Sequence, residues 1–160
     1  MPSITPFLWF DDQAEEAAKL HTSIFPNSRI VETRRYENAS PDGSTVTIVT
    51  YEVDGQRVTA MNAGPEFKLN EAFSFLVECE TQDEVDTYWE KLTADGGEEG
   101  PCGWLKDKFG LSWQIVPKLL DELLGDPDQE RANRVMQAML QMKKIESDEL
   151  RRAYEQPVTA

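Results

Sequence analysis

The sequence predicts an α+β fold in which two βαβββ modules form a curved mixed sheet around a trough, followed by C-terminal helices. Three observations support this prediction. The order strand, helix, strands occurs twice, at about residues 3–63 and 71–117. Both helices begin with acidic residues directly after an apolar strand. Beyond Pro117 the apolar spacing is helical only, so residues 1–117 are predicted to be one domain and 118–160 a helical extension.

The first module begins with alternating apolar residues in 3–10, which predict a half-buried strand. The next segment has helical apolar spacing; Asp12 is the predicted N-cap, and Pro26 ends the helix. Asp54-Gly55 is typical of a tight hairpin turn, because both residues accept positive φ. The remaining strands are predicted at 28–36, 45–53 and 56–63.

The second module repeats this order. Residues 71–79 predict a strand, and the helix over 81–97 has Thr81 as its N-cap and a Gly-Gly stop. Residues 100–116 predict a hairpin around Asp107-Lys108-Phe109-Gly110, with Lys106-Asp107-Lys108 as a solvated end. The first strands and helices of the two modules align at an offset of 68 (75 − 7), which suggests an internal duplication.

Charge and composition exclude several classes of function. The net charge of −14 is repulsive to nucleic acid phosphates and to anionic lipid, so neither partner is expected. No apolar run reaches the length of a membrane span, and the N-terminus lacks the pattern of a secretory signal, so we expect a cytoplasmic protein. The two cysteines, Cys79 and Cys102, are expected to be reduced thiols.

Four segments carry a resemblance to a known family: "ITPFLWFDDQAEEAAKLHTSIFPNSRI", "AMNAGPEFKLNEAFSFLVEC", "EEGPCGWLKDKFGLSWQIVP" and "VMQAMLQMKKI". Together they resemble the PhnB-like branch of the vicinal oxygen chelate superfamily, which includes glyoxalase I, bleomycin-resistance proteins and extradiol dioxygenases. The resemblance spans nearly the whole chain and implies the paired βαβββ fold and a homodimer. Proteins of this branch often carry the label 3-demethylubiquinone-9 3-methyltransferase, but the chain has no G-x-G turn between a strand and a helix for S-adenosylmethionine.

The resemblance also implies where a metal would be bound in active superfamily members. The corresponding positions are Pro6, Ala72, Gln114 and either Ala60 or Asn62. None of these side chains is an imidazole or a carboxylate, the groups that bind divalent metals most often. We therefore expect no metal and no cofactor.

The ligand is expected to be a small, partly aromatic molecule, because aromatic and uncharged polar residues recur on strands predicted to line the trough. The candidate binding residues are Trp9, Asn62, Phe67, Ser74, Cys102, Trp104, Trp113 and Gln114. Each has an alternative structural interpretation: the aromatic residues and Cys102 can fill a core, and the polar residues can bond to the backbone. Three classes of function stay open at this stage. They are a binding protein, an enzyme acting on an aromatic or vicinal-oxygen substrate, either metal-independent or metal-dependent like the glyoxalases and dioxygenases, and a structural dimer with a filled trough.

Overall fold

The computed structural model describes residues 1–156. They form two compact units, residues 1–70 and residues 71 onward. Each unit contains a four-stranded mixed sheet in a βαβββ order, and the second also holds the C-terminal helices. The predicted α+β class, with two βαβββ modules and C-terminal helices, is confirmed. Within residues 1–156, no helix combines the length and apolar character needed to cross a membrane.

The first unit has one helix and four strands. They are β1 (Phe7–Phe10), α1 (Ala14–Ile24), β2 (Arg29–Tyr36), β3 (Val46–Val53) and β4 (Gln56–Asn62). The strand order is β1-β4-β3-β2, with β1 parallel to β4 and the other pairs antiparallel. The predicted Asp54-Gly55 turn joins β3 to β4, and both residues have positive φ.

Helix α1 packs against one face of the first sheet. Small side chains of the helix, such as Ala17 and Ala18, allow close approach to β3, and both alanines and Val49 of β3 are buried. The single histidine, His21, is fully buried in this layer, where its Nδ1 lies 3.0 Å from the Tyr51 hydroxyl oxygen. His21 is therefore part of the core of the first unit.

The start of α1 differs from the prediction. The N-cap is Gln13 rather than Asp12, and Gln13 makes no side-chain cap hydrogen bond. Instead, Asn62 at the end of β4 accepts a hydrogen bond from the Ala14 backbone N–H at 2.7 Å. A distant strand residue thus satisfies a donor that a local cap would normally satisfy, and short-range sequence patterns do not reveal it.

The second unit repeats the topology with shorter middle strands. Its elements are β5 (Ser74–Cys79), α2 (Gln82–Thr93), a short 3-10 helix (Ala94–Gly96), β6 (Glu98–Glu99), β7 (Trp104–Lys106) and β8 (Ser112–Pro117). The order β5-β8-β7-β6 matches that of the first unit. The predicted cap of α2 is confirmed, because Thr81 accepts a hydrogen bond from the Glu84 N–H.

The C-terminal helices belong to the second unit. They are α3 (Lys118–Leu124), α4 (Gln129–Met139) and α5 (Ser147–Glu155). Leu120, Val135 and Leu150 of these helices form a core cluster with Ile145 of the segment before α5, and Val116 of β8 packs against it. The backbone N–H groups of Cys102 and Gly103 donate to the carbonyls of Met142 and Lys143, both at 2.8 Å, and attach the segment before α5 to the start of β7.

The burial pattern corrects the alignment of the duplication. At the offset of 68, buried helix residues match well, for example Ala17 with Val85 and His21 with Trp89. The same offset pairs Leu8, which is 3% exposed, with Leu76, which is 57% exposed. The strands therefore correspond at an offset of 69, since a shift of one residue exchanges the two faces of a strand.

Candidate functional site

The open face of the second sheet carries two cross-strand rows of side chains. The first row contains Ser74, Ser112 and Lys106, which are register partners on β5, β8 and β7. The second row contains Leu76, Gln114 and Trp104. Residues two apart on a strand share a face, so both rows lie on the same side of the sheet. Leu105, Trp113 and Ile115 lie on the opposite face and are buried.

A pocket of about 440 Å³ lies beside the first row, entirely within the second unit. Its described lining residues are Glu71, Glu98, Glu99, Gly100, Pro101, Trp104, Leu105, Lys106 and Ser112. The volume falls within the range of small-molecule sites, which run from roughly 300 to 1,000 Å³. The pocket thus combines one large aromatic side chain with a few polar groups.

The charged lining residues are three carboxylates and one ammonium group. Lys106 Nζ lies 2.8 Å from Glu71 Oε2, and this contact raises the pKa of Lys106 and lowers the pKa of Glu71. Glu98 is the register partner of Lys106 and raises the Lys106 pKa further through its charge. Glu99 accepts a hydrogen bond from the Trp89 indole N–H at 2.7 Å. At neutral pH the lining is therefore negative, with its only cation among the described residues already paired.

The Ser112 hydroxyl has a different environment from the other polar groups of this pocket. Its side chain is fully buried, and its Oγ has no hydrogen-bond partner among the residues that the structure describes. A buried hydroxyl without a partner is uncommon, because the lost hydration costs about 1–3 kcal/mol. Ser112 was not among the residues singled out from the sequence, although its place opposite Lys106 follows from the hairpin register.

Several predicted site residues do lie near this face. Trp104 lines the pocket, and the Gln114 amide donates to Ser74 Oγ at 3.0 Å across β8 and β5. Cys102 lies in the loop before β7 with φ of 56°, and its backbone N–H bonds to Met142. The structure therefore brings Trp104, Gln114 and Ser74 onto one face.

Trp113 has a different environment from its neighbour Gln114. It is 1% exposed, and its indole N–H donates to Asp107 Oδ2 at 3.0 Å. Asp107 Oδ1 also accepts hydrogen bonds from the backbone N–H groups of Phe109 and Leu111. Asp107 is only 2% exposed, so the interpretation of Lys106-Asp107-Lys108 as a solvated hairpin end is wrong for its central residue.

The other predicted site residues lie in the first unit. Trp9 and Phe67 form an edge-to-face pair with ring centroids 5.0 Å apart, and the Trp9 indole N–H donates to the Gly64 carbonyl. Phe67 is 58% exposed, so this pair presents an aromatic surface. Asn62, by contrast, uses its side-chain oxygen to cap α1.

The residues at the metal positions implied by the family resemblance do not fit a divalent metal. Pro6, Ala60 and Ala72 have no side-chain atom that could bind a metal, and the Asn62 oxygen accepts a hydrogen bond from the Ala14 N–H. Gln114, whose amide N–H donates to Ser74, offers only a neutral amide oxygen. Structural and catalytic metal sites normally use several imidazole, thiolate or carboxylate ligands. Within residues 1–156, no three His, Cys, Asp or Glu side chains are grouped so that they could hold an ion.

The fold and the sequence together define the class of protein. Two βαβββ modules with matching strand orders are the architecture of the vicinal oxygen chelate superfamily, and the chain is a PhnB-like member of it. The sequence model of the family described as 3-demethylubiquinone-9 3-methyltransferase matches residues 2–116, and the chain belongs to this family. No curated protein matches the chain.

Solved structures agree with this assignment. A PhnB protein from Bacillus cereus is 33% identical, with a TM-score of 0.63 over 72% of this chain and 99% of that chain. Protein PA1353 from Pseudomonas aeruginosa is 17% identical, with a TM-score of 0.60 over 73% and 98% of the two chains. The fosfomycin resistance protein FosX from Listeria monocytogenes is 18% identical, with a TM-score of 0.55 over 78% and 98%. At these lower identities the likeness concerns the fold alone.

Proposed function

We propose that this protein binds a small, partly aromatic molecule on the open face of its second sheet, without the metal that related enzymes use. The observation that carries the proposal is the pocket of about 440 Å³ beside Trp104. A tryptophan wall provides a large contact area and a preferred geometry for a flat ligand. Gly100 also lines the pocket, and its lack of a side chain lets the backbone approach Trp104, because a Cβ there would lie 2.9 Å from the Trp104 carbonyl oxygen.

Two features support binding over the alternatives considered from the sequence. The open volume favours a ligand site over a face filled by its own side chains. The side chains at the implied metal positions favour a binding protein over a metal-dependent glyoxalase-like or dioxygenase-like enzyme. The methyltransferase name of the family has no matching glycine turn here, since Gly96-Gly97 follow helix α2 instead of opening one.

The proposal is tested by a thermal-shift screen over metabolites, organic cations and aromatic drugs. We expect aromatic compounds to raise the Tm of the wild type, because a ligand that binds only the folded state stabilises it. The shift should be lost in Trp104→Ala and kept in Trp9→Phe, a matched control in the first unit. It should also persist after treatment with a chelator. Compounds that raise the Tm of Trp104→Ala as much as that of the wild type, or that raise it only after a metal is added, would contradict the proposal.

We further propose that the protein acts in the cytoplasm as a homodimer, as the family resemblance implies. Large apolar side chains on or next to β5 support an additional partner, since Phe73 is 45% exposed and Leu76 is 57% exposed. Light scattering coupled to size-exclusion chromatography should give twice the mass of the 18.2 kDa chain. A monomeric mass at micromolar concentration would contradict this part of the proposal.

A further inference from the structure

We infer that the pocket of the second unit selects aromatic amines, and that the Ser112 hydroxyl binds the amine head group. This inference rests on the proposed function, because it names the ligand class for the same pocket.

The Ser112 hydroxyl is fully buried beside the pocket and has no hydrogen-bond partner within residues 1–156. The neighbouring Ser74 hydroxyl, by contrast, accepts a hydrogen bond from the Gln114 amide. The two serines are register partners on adjacent strands, so the difference does not come from the type of residue. An unpaired hydroxyl can accept a hydrogen bond from a ligand N–H.

Charge on the described lining favours a cationic ligand. Glu99 is the register partner of Leu105 and accepts a hydrogen bond from Trp89 of α2, so its carboxylate is already used. The other two lining carboxylates are Glu71, which is paired with Lys106, and Glu98, which is the register partner of Lys106. Hydrogen-bond acceptors therefore outnumber donors on the described lining. A carboxylate ligand would meet like charge, whereas an ammonium group would gain both hydrogen bonds and Coulomb attraction.

Trp104 forms the aromatic wall of the pocket. It lies on the same face as Lys106 and Ser112, in the next cross-strand row. Tryptophan is the side chain whose ring face attracts cations most strongly, and the same ring can pack against a ligand's apolar part. A flat ligand with a protonated amine can therefore contact the Trp104 ring, the lining carboxylates and the Ser112 hydroxyl together.

Three probes share a phenylethyl group and differ in the head group: phenethylamine, 2-phenylethanol and 3-phenylpropionate. They separate the effect of the head group from that of the aromatic ring. Calorimetric titration of the full chain at neutral pH should rank them amine, alcohol, carboxylate. We expect the amine to bind at least roughly tenfold more tightly than the carboxylate. Ser112→Ala should weaken the amine by roughly threefold to tenfold, the effect of one hydrogen bond.

A stability measurement distinguishes this role from a structural one. Because Ser112 Oγ has no partner within residues 1–156, Ser112→Ala should leave the Tm unchanged or raise it while the affinity for the amine falls. Ser147→Ala, which changes a buried serine at the start of α5, should leave binding of the amine unchanged.

The outcomes separate the two proposals. If the carboxylate binds as tightly as the amine, or if Ser112→Ala leaves the amine's affinity unchanged, the ligand class or the role of Ser112 is wrong and the binding function stands. If no probe binds up to roughly 10 mM, a weak limit for a ligand of this size, both proposals are overturned.

Discussion

The two units have the same topology but use their open faces differently. In the first, β2 and β3 are eight residues each, whereas β6 and β7 of the second have two and three. The first unit presents the Trp9–Phe67 pair, and the second has a pocket with a buried hydroxyl that has no partner within residues 1–156. The two sheets therefore keep the same strand order although their middle strands differ in length.

The local devices that hold each unit together also differ. The first caps its helix with Asn62 from a distant strand, and the second uses the adjacent Thr81. The exposed Asp54-Gly55 turn closes the hairpin of the first unit, while the turn of the second is built around the buried carboxylate of Asp107. The same fold therefore rests on different residues in its two copies.

The largest expected effect is on the turn of the second unit. Asp107→Asn should lower the free energy of unfolding by about 2–4 kcal/mol, because the amide puts a donor where carboxylate oxygens accept three hydrogen bonds. Asp54→Asn in the first unit should change it by less than about 0.5 kcal/mol, since Asn tolerates positive φ on the surface. Chemical denaturation measures both free energies of unfolding, and equal losses would show that the buried turn does not depend on its carboxylate more than the exposed one does.

The next largest effect on stability is expected at Gly103, where the segment before α5 contacts the start of β7. Gly103 and Gly110 both have φ of +84°, so alanine is strained at either position. At Gly103 the new Cβ would also lie 2.8 Å from Ile145 Cδ1, whereas at Gly110 nothing lies within 4 Å. We expect Gly103→Ala to cost about 1–3 kcal/mol more than Gly110→Ala. Matching values in thermal unfolding would show that Ile145 does not approach the hairpin this closely.

The two helix caps should have similar strengths in spite of their different origins. Asn62→Ala and Thr81→Ala each remove one side-chain acceptor from a helix N-terminus, so each should cost about 1 kcal/mol. Hydrogen exchange of the first turn of α1 or α2 locates each loss. If Asn62→Ala were neutral, its contact with Ala14 would not stabilise the first unit.

The smallest effect concerns the thiols of the second unit. Burial raises the pKa of Cys79 from 9.0 to about 12. This thiol should resist iodoacetamide at pH 8, while the partly exposed Cys102 reacts. The favourable contribution of a protonated Cys79 to stability is therefore complete below pH 9 and is lost as the pH rises toward 12. Mass spectrometry of the peptides identifies the alkylated residue, and modification of Cys79 in the folded protein would contradict its burial.

Element order and strand positions were accessible from the sequence, because alternation, caps and an Asp-Gly turn are local signals. The α2 cap at Thr81 was predicted for this reason, and the α1 cap was not, since Asn62 acts from 48 residues away. The faces of the strands required the register between strands. That register separates Trp113 from Gln114, turns Asp107 inward and brings Ser112 beside Trp104. The different side chains on the open faces of the two units can therefore be identified only when the cross-strand partners are known.

A titration of the ¹⁵N-labelled protein with phenethylamine, observed through its indole N–H signals, tests whether the ligand binds to the second sheet. Single Trp→Phe variants assign the signals of the four tryptophans. We expect the Trp104 signal to shift to saturation while the Trp9 signal stays in place, because the ligand binds to the second sheet. A saturating shift of the Trp9 signal with Trp104 unchanged would contradict the account and place the binding site in the first unit.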